Sequence, residues 1–400
     1  MDKERVSRDE LLGIYLHVPF CAQRCAYCDF AIVAGRSARI GEYFDALEVE
    51  IRASSRRLGT RSVDTIYLGG GTPSHVYPQQ CRRLIRAVRD AFDVTTAAEI
   101  SLEANPEDVT PEKLDAWLGA GVTRITIGLQ ALEDEGLQAL GRPGSVEIGV
   151  RAVEYARAAA VESLGADLIF GRPGQTLESW RAELAGATEL GLDHVSCYAL
   201  ETTSRTPLVR AIEKGRLPAP DPDLAALTYE HTVATLRQAG LARYEISNFA
   251  RAGSESRHNL KYWLDQGYAG FGMSAASYVD GARWTNPRRL SDYVTSTGHG
   301  LERADAANSG TAGEAHGAHR MFEPYDADRR AGEAIVFGLR LDRGVDLAEV
   351  SRRHGQRPVD RRRDVLAAGA RRGLVEFDGV RAKLAERGRL LADELFVDLL

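Results

Sequence analysis

The sequence predicts an α/β protein: a partial (βα)6 barrel of the TIM type, followed by a smaller winged-helix-like α+β domain. Three observations predict it. Six short β-type runs alternate with longer helical stretches through the first half of the chain. The alternation stops at a proline-rich break, Pro218-Ala-Pro-Asp-Pro222. Residues 326–400 read instead as helices followed by a β-hairpin.

The β-type runs are Ile14–Val18, Val63–Leu68, Glu99–Ala104, Val122–Leu129, Ser163–Phe170 and His194–Leu200. Helical patterns over Ile40–Leu58, Gln79–Phe92, Pro111–Leu118, Val146–Ala159 and Leu177–Leu190 separate them. Six βα repeats in order imply a parallel sheet with right-handed crossovers. Six units are too few for a closed eight-stranded barrel, so an open partial barrel is the preferred reading and a doubly wound sheet the rival. In either, a functional site sits at the C-terminal ends of the strands. These units are assigned to residues 8–240. A further helix begins near Asp221. Residues 241–295, rich in aromatics and glycine, are read as an extension of the barrel, and residues 296–325, small and polar, as a low-complexity loop or linker. In residues 326–400, Leu347–His354 and Pro358–Arg371 suggest two helices. An Asp378-Gly379 turn joins two strands, and one final helix runs to about Leu399.

Hydrophobic residues make up 44% of the 400 and charged residues 27%, as in ordinary globular proteins. The net charge of −6 gives no global pointer to nucleic acid. No run is long and apolar enough to span a membrane, and the charged opening MDKERVSRDELLG lacks an apolar signal core, so a cytoplasmic chain is expected.

Five cysteines do not make a disulfide framework, and three of them, Cys21, Cys25 and Cys28, fall on one short segment directly after the first predicted strand. Three thiolates spaced C-x3-C-x2-C can each hold one iron of a cubane cluster and leave the fourth iron open to a small ligand. Structural zinc wants four closed ligands, and His17 is the neighbour that would supply the fourth. Three buried free thiols are the remaining alternative. After the second strand comes Gly69-Gly-Gly-Thr-Pro-Ser74, where glycines let backbone approach closely. It lacks the Gly-Lys-Ser/Thr ending of a nucleotide P-loop. Glu103 ends the third strand on the face it shares with Ser101, and Gln130 ends the fourth. Arg142 and Asp167 lie in Leu-Gly-Arg-Pro and Gly-Ala-Asp-Leu-Ile-Phe.

The cysteine spacing on the first loop of such a barrel resembles the radical SAM superfamily. The wider pattern, Tyr15-x-His-x-Pro-Phe-Cys21 with Tyr27-Cys-Asp-Phe30, resembles its oxygen-independent coproporphyrinogen III oxidase-like branch, and within that branch the HemW-type haem chaperones. The resemblance runs over nearly the whole chain. It implies a [4Fe–4S] cluster on Cys21, Cys25 and Cys28 whose open iron chelates S-adenosylmethionine (SAM). It also implies SAM contacts at Tyr15, Tyr27, Gly70, Gly71, Thr72, Glu103, Gln130, Arg142 and Asp167.

Oxidases of this branch carry a further cysteine where this chain has Phe30, and a long arm ahead of the cluster, where here twenty residues precede Cys21. Both departures favour the chaperone subgroup. So does His258-Asn-Leu-Lys-Tyr262-Trp263, near Glu245-Ile-Ser-Asn-Phe249. Imidazole is a good axial ligand for haem iron, and His258 is the candidate ligand. Gly144 and Ala276 stand where relatives often carry histidine.

The implied partners are haem and acceptor haemoproteins, respiratory ones among them, with peripheral contact at the inner membrane face. The rival function is a radical SAM oxidoreductase acting on coproporphyrinogen. A third reading rests on residues 352–389, whose twelve Lys or Arg against five Asp or Glu suit an anionic surface. With the cysteine cluster present, a solvated basic face outweighs a nucleic-acid-binding module, and no nucleic acid is expected as partner.

Overall fold

The computed structural model describes residues 11–59, 61–298 and 320–400. Its main sheet has twelve strands: β1 (Leu12–Val18), β2 (Ser62–Gly70), β3 (Asp93–Ala104), β4 (Arg124–Gln130), β5 (Ser163–Phe170), β6 (His194–Ala199), β7 (Ala242–Arg243), β8 (Asn248–Ala250), β9 (Tyr268–Phe271), β10 (Ala276–Val279), β11 (Ala282–Thr285) and β12 (Met321–Glu323). Their spatial order is β12-β11-β10-β9-β1-β2-β3-β4-β5-β6-β8-β7. Strands β1 to β6 lie side by side in chain order and pair in parallel. A doubly wound sheet reverses its order at a switch point, whereas β1 to β6 do not, so their crossovers wind one way and they form a partial barrel.

Helices α1 (Ile40–Leu58), α2 (Pro78–Ala91), α3 (Pro111–Gly119), α4 (Val146–Ala158) and α5 (Leu177–Glu189) follow β1 to β5. Their starts are written locally. Thr110, Ser145 and Thr176 each accept a backbone N–H of the first turn, and Thr176 with Ser179 completes a capping box. Alternation along β1 buries Leu12, Ile14, Leu16 and Val18 in one core with Tyr43, Phe44 and Leu47 of α1. Each such aliphatic side chain contributes about 1.5–3 kcal/mol on burial. The intervening Tyr15 and His17 face the other way, into the barrel.

The strand and helix positions expected for the first half are observed, with ends differing by a few residues. The exception is β3, which starts six residues earlier, at Asp93. Residues 241–295 do more than extend the barrel. They supply β7 and β8 beyond β6, and β9, β10 and β11 beyond β1, so one stretch of chain edges both sides of the sheet. β9 is a seventh parallel strand, paired to β1. Its Tyr-Ala-Gly-Phe sequence is too short to announce itself by periodicity. The expected linker over 296–325 is only partly a loop: α8 (Leu290–Gly298) enters it and β12 leaves it, while 299–319 lie outside the described residues. So do residues 8–10 at the start of the expected barrel, along with the rest of the charged opening before Leu11.

The C-terminal part has its own core, from Ala331 to Leu399. It holds α9 (Ala327–Arg340), α10 (Leu347–His354), α11 (Gln356–Arg371) and a small sheet of Val345–Asp346, Val375–Phe377 and Arg381–Leu384. Gly379, at φ +92°, makes the hairpin turn, and the Asp378 carboxylate accepts the N–H groups of Val380 and Arg381. The expected single final helix is broken at Leu391, whose φ of −120° separates Glu386–Leu390 from Ala392–Leu399.

Glu50 of α1, with no exposed surface, joins the barrel to its added strands. It accepts from Gly272 N, Asn286 Nδ2 and Tyr293 Oη at 2.7–2.8 Å and pairs with Arg320 at 2.8 Å. Removing one partner of a buried pair strands the other charge. Glu50→Ala is therefore expected to cost about 3–5 kcal/mol, read as a lowered urea midpoint with an unchanged slope.

Candidate cofactor site

The cysteine loop begins where β1 ends. Phe20–Cys21 pairs in parallel with Val33–Ala34, closing the base of the loop. Val33 N donates to Pro19 O at 2.8 Å, and His17 Nε2 meets Ala31 O at 2.9 Å. On the outer side, Ser204 Oγ donates to Asp29 and Leu208 N to Ala26 O. The three thiols are half-buried. Burial pushes the Cys21 thiol up to about 11, against a hydrogen bond from Thr72, and raises Cys28 as well.

Among the described residues, no three His, Cys, Asp or Glu side chains converge as a single metal ion requires. Zinc would need such convergence, whereas a cubane gives each thiolate its own iron. Three thiols on one braced, partly open loop fit a [4Fe–4S] cluster with an open iron. They do not fit zinc with His17, whose ring nitrogens are held by Tyr15 and Ala31.

The glycine turn after β2 lies against this loop. Gly70 has φ +107°, and a Cβ there would overlap the His17 ring. One at Gly71 would overlap the Pro19 carbonyl. Without those atoms the turn comes close enough for Gly71 N to donate to Val18 O and Thr72 N to Phe20 O, at 2.9 and 3.0 Å.

The inner face of the strands carries a polar row. Register places Tyr15 beside Tyr67, Tyr67 beside Ser101, Glu103 beside Thr126, and Asp167 beside Ser196. Tyr67 Oη donates to Glu103 Oε1 at 2.7 Å, and Gly70 N to its Oε2 at 3.3 Å. Burial raises Glu103 to about 7, with Asp167 adding to the rise, and it raises Asp167 to about 6 against Ser196 and Arg142. Arg142 donates to Asn105 Oδ1 and Gly128 O, and its positive charge opposes the rise that burial imposes on the Tyr27 hydroxyl. Gln130 is left-handed at φ +68°, a conformation costly outside glycine and common at functional sites. Cys21, Cys25, Cys28, Tyr15, Tyr27, Gly70, Gly71, Thr72, Glu103, Gln130, Arg142 and Asp167 thus share one rim. Tyr67, Ser196 and Asn105 belong to the same network and were not singled out from sequence, and His17, weighed there only as a zinc ligand, belongs to it as well.

His258 is placed differently. It sits behind that row on α7 (Arg257–Trp263), fully buried, and stacks on Tyr67 at 5.2 Å. Its Nδ1 shares a hydrogen bond with Thr65 at 2.8 Å and its Nε2 one with Tyr262 at 2.9 Å. Burial lowers it to about 3, so it is neutral. His258, the candidate haem ligand, is thus buried here with both ring nitrogens hydrogen-bonded. Trp263, next along the helix, carries the contact outward, with Arg340 of α9 stacked over its indole at 4.4 Å.

Two outcomes follow from this geometry. His258→Ala leaves Thr65 and Tyr262 without their buried partner and is expected to cost about 2–4 kcal/mol, measured by chemical denaturation. Haem titration of that variant then locates the ligand: a surviving histidine-type spectrum assigns it elsewhere, and a lost one shows that α7 opens. For Glu103, the folded state holds its proton to about pH 7 while the unfolded state loses it near the ordinary carboxylate value. Its contribution to stability is full below that value and is lost as pH rises through about 7. The stability gained by Glu103→Gln over wild type should grow between about pH 5 and 7 and then level off, as urea midpoints across that range would show.

Two family models match the chain: the radical SAM superfamily over residues 15–185 and the HemN C-terminal domain over residues 325–391. The heme chaperone HemW of Mycobacterium tuberculosis is 37% identical over 393 residues, covering 97% of this chain and 94% of that one. The heme chaperone HemW of Bacillus subtilis is 32% identical, covering 96% and 97%. Among solved structures, coproporphyrinogen III oxidase (HemN) from Escherichia coli superimposes with a TM-score of 0.81 at 25% identity, over 98% of this chain and 90% of that one. With full-length likeness at this level, and three thiols and a polar rim arranged as described, the chain belongs to the HemW family of radical SAM proteins.

Proposed function

We propose that this protein binds haem and, with a [4Fe–4S] cluster and SAM at the barrel mouth, passes haem to acceptor haemoproteins. The observation that carries the reading is end-to-end likeness to proteins named heme chaperone HemW. Cys21, Cys25 and Cys28 would hold the cluster, and the residues of the rim would hold SAM. When bound, the cluster supplies an open iron that chelates the amino and carboxylate groups of SAM and an electron for its cleavage.

The chain's own contribution is electrostatic. Glu103 and Asp167 lie in a recess where ionising both is unfavourable without a cation. A cationic ligand there favours the charged carboxylates, and Tyr67 fixes which Glu103 oxygen remains available. Gly70 and Gly71 keep side chains away from the closest approach to the loop. We propose respiratory haem enzymes at the inner membrane face as acceptors, in a reducing compartment that keeps the three thiols available. In that setting the excess of positive charge over residues 352–389 favours an anionic surface.

A second reading, coproporphyrinogen oxidation, is favoured by the likeness to HemN. Against it, Phe30 stands exposed on the cysteine loop where the oxidases carry a further cysteine. The discriminating assay supplies anaerobically reconstituted protein with SAM, dithionite and coproporphyrinogen. We expect no protoporphyrinogen at enzymatic turnover, and we expect haem to pass from the loaded protein to an apo-haemoprotein in a spectroscopic transfer assay. Turnover to protoporphyrinogen would refute the chaperone reading.

A further inference from the structure

The glycine turn is bound to the end of β1 and the start of the cysteine loop. Two backbone hydrogen bonds, Gly71 N to Val18 O and Thr72 N to Phe20 O, hold it there, and the missing Cβ atoms of Gly70 and Gly71 make that distance accessible. The result is local and specific: Thr72, 5% exposed, directs its hydroxyl at Cys21, and Oγ1 donates to Sγ at 3.2 Å. Cys28, by comparison, is met by the backbone of Phe30.

We propose that Thr72 is a positioning residue for the cluster, a hydrogen-bond donor to the Cys21 sulfur that raises the cluster's reduction potential. The inference rests on the cluster reading of Cys21, Cys25 and Cys28. A donor to a coordinating thiolate draws electron density from the sulfur. The reduced cluster carries one more negative charge than the oxidised one, so the donor stabilises the reduced form more. Because the hydroxyl is anchored by its own backbone and shielded from water, its hydrogen bond does not compete with solvent. The sequence Gly-Gly-Gly-Thr is then a bracket as much as a ligand surface: two residues without side chains bring in the one whose side chain matters.

The test compares wild type, Thr72→Val and Thr72→Ser after anaerobic reconstitution. Valine keeps the shape and removes the donor, while serine restores it. Iron and sulfide analysis comes first; a wild type that takes up no cluster would defeat the cluster reading itself, separately from the role of Thr72. Reduction is then followed by electron paramagnetic resonance in a dithionite titration without SAM, and SAM affinity is measured by equilibrium dialysis. We expect full iron content in all three proteins. We also expect a reduced-to-oxidised ratio at fixed potential about fivefold lower in Thr72→Val, the equivalent of one ordinary hydrogen bond, and recovered in Thr72→Ser. Should the valine variant fail to take up iron, Thr72→Ala carries the same comparison. An unchanged potential in a fully loaded donor-less variant overturns the proposal. So does a loss of SAM affinity at unchanged potential, which would make Thr72 a contact to the ligand rather than to sulfur.

Discussion

A parallel sheet with polar side chains along its inner face must give each of them a partner, and the rest of this molecule is arranged around that requirement. The outward positions of the strands are aliphatic and pack under helices. The inward positions carry Tyr15, His17, Thr65, Tyr67, Ser101, Glu103, Asp167 and Ser196, which parallel register aligns across the barrel. An unpaired polar group there would cost a few kcal/mol, roughly the scale of a mutation that unfolds a marginal protein. The solutions interlock: Tyr67 bonds Glu103, Tyr15 bonds His17, and His17 reaches Ala31. The last of these bonds lies on the cysteine loop. The loop that would carry the metal is therefore suspended from the same network that satisfies the barrel interior.

The electrostatic consequence concerns two acids. Glu103 and Asp167 are raised toward neutrality mainly by burial, and they also oppose one another. Such a pair is poorly satisfied alone and better satisfied with a cation between or beside it. The ammonium and sulfonium groups of SAM are cations, which links the site's chemistry to its family.

Much of this was legible in sequence because the signals are local. The C-x3-C-x2-C spacing, the helix start near Asp221 and the Asp378-Gly379 turn each act within a few residues of themselves. The rim residues Glu103 and Gln130 were accessible because they lie at the ends of strands, and Asp167 because it is an acid within a predicted strand. What escaped was set by distance along the chain. Tyr67 and Ser196 are ordinary residues until register places them beside Ser101 and Asp167. The period-2 argument applied to Glu103, carried to every strand, would have found both. β9 escaped because its four residues contain a glycine and its partner is β1, some 250 residues earlier. His258 was read as a ligand from its motif alone. Its commitment to Thr65 depends on a contact spanning 193 positions of sequence, which no window reveals.

The placement of β9 also sets an order of events. β1 is the first strand synthesised, and its free edge is covered only by Tyr268–Phe271. Until that segment leaves the ribosome, the barrel has an open side next to the cysteine loop, and the carboxylate of Glu50 lacks the Gly272, Asn286, Tyr293 and Arg320 groups that satisfy it. Non-local pairing of this kind is slow, and it leaves an unpaired edge available to other chains in the interval. The nascent protein thus passes through a stage in which the segment bearing Cys21, Cys25 and Cys28 exists before the strand that closes the sheet edge beside it.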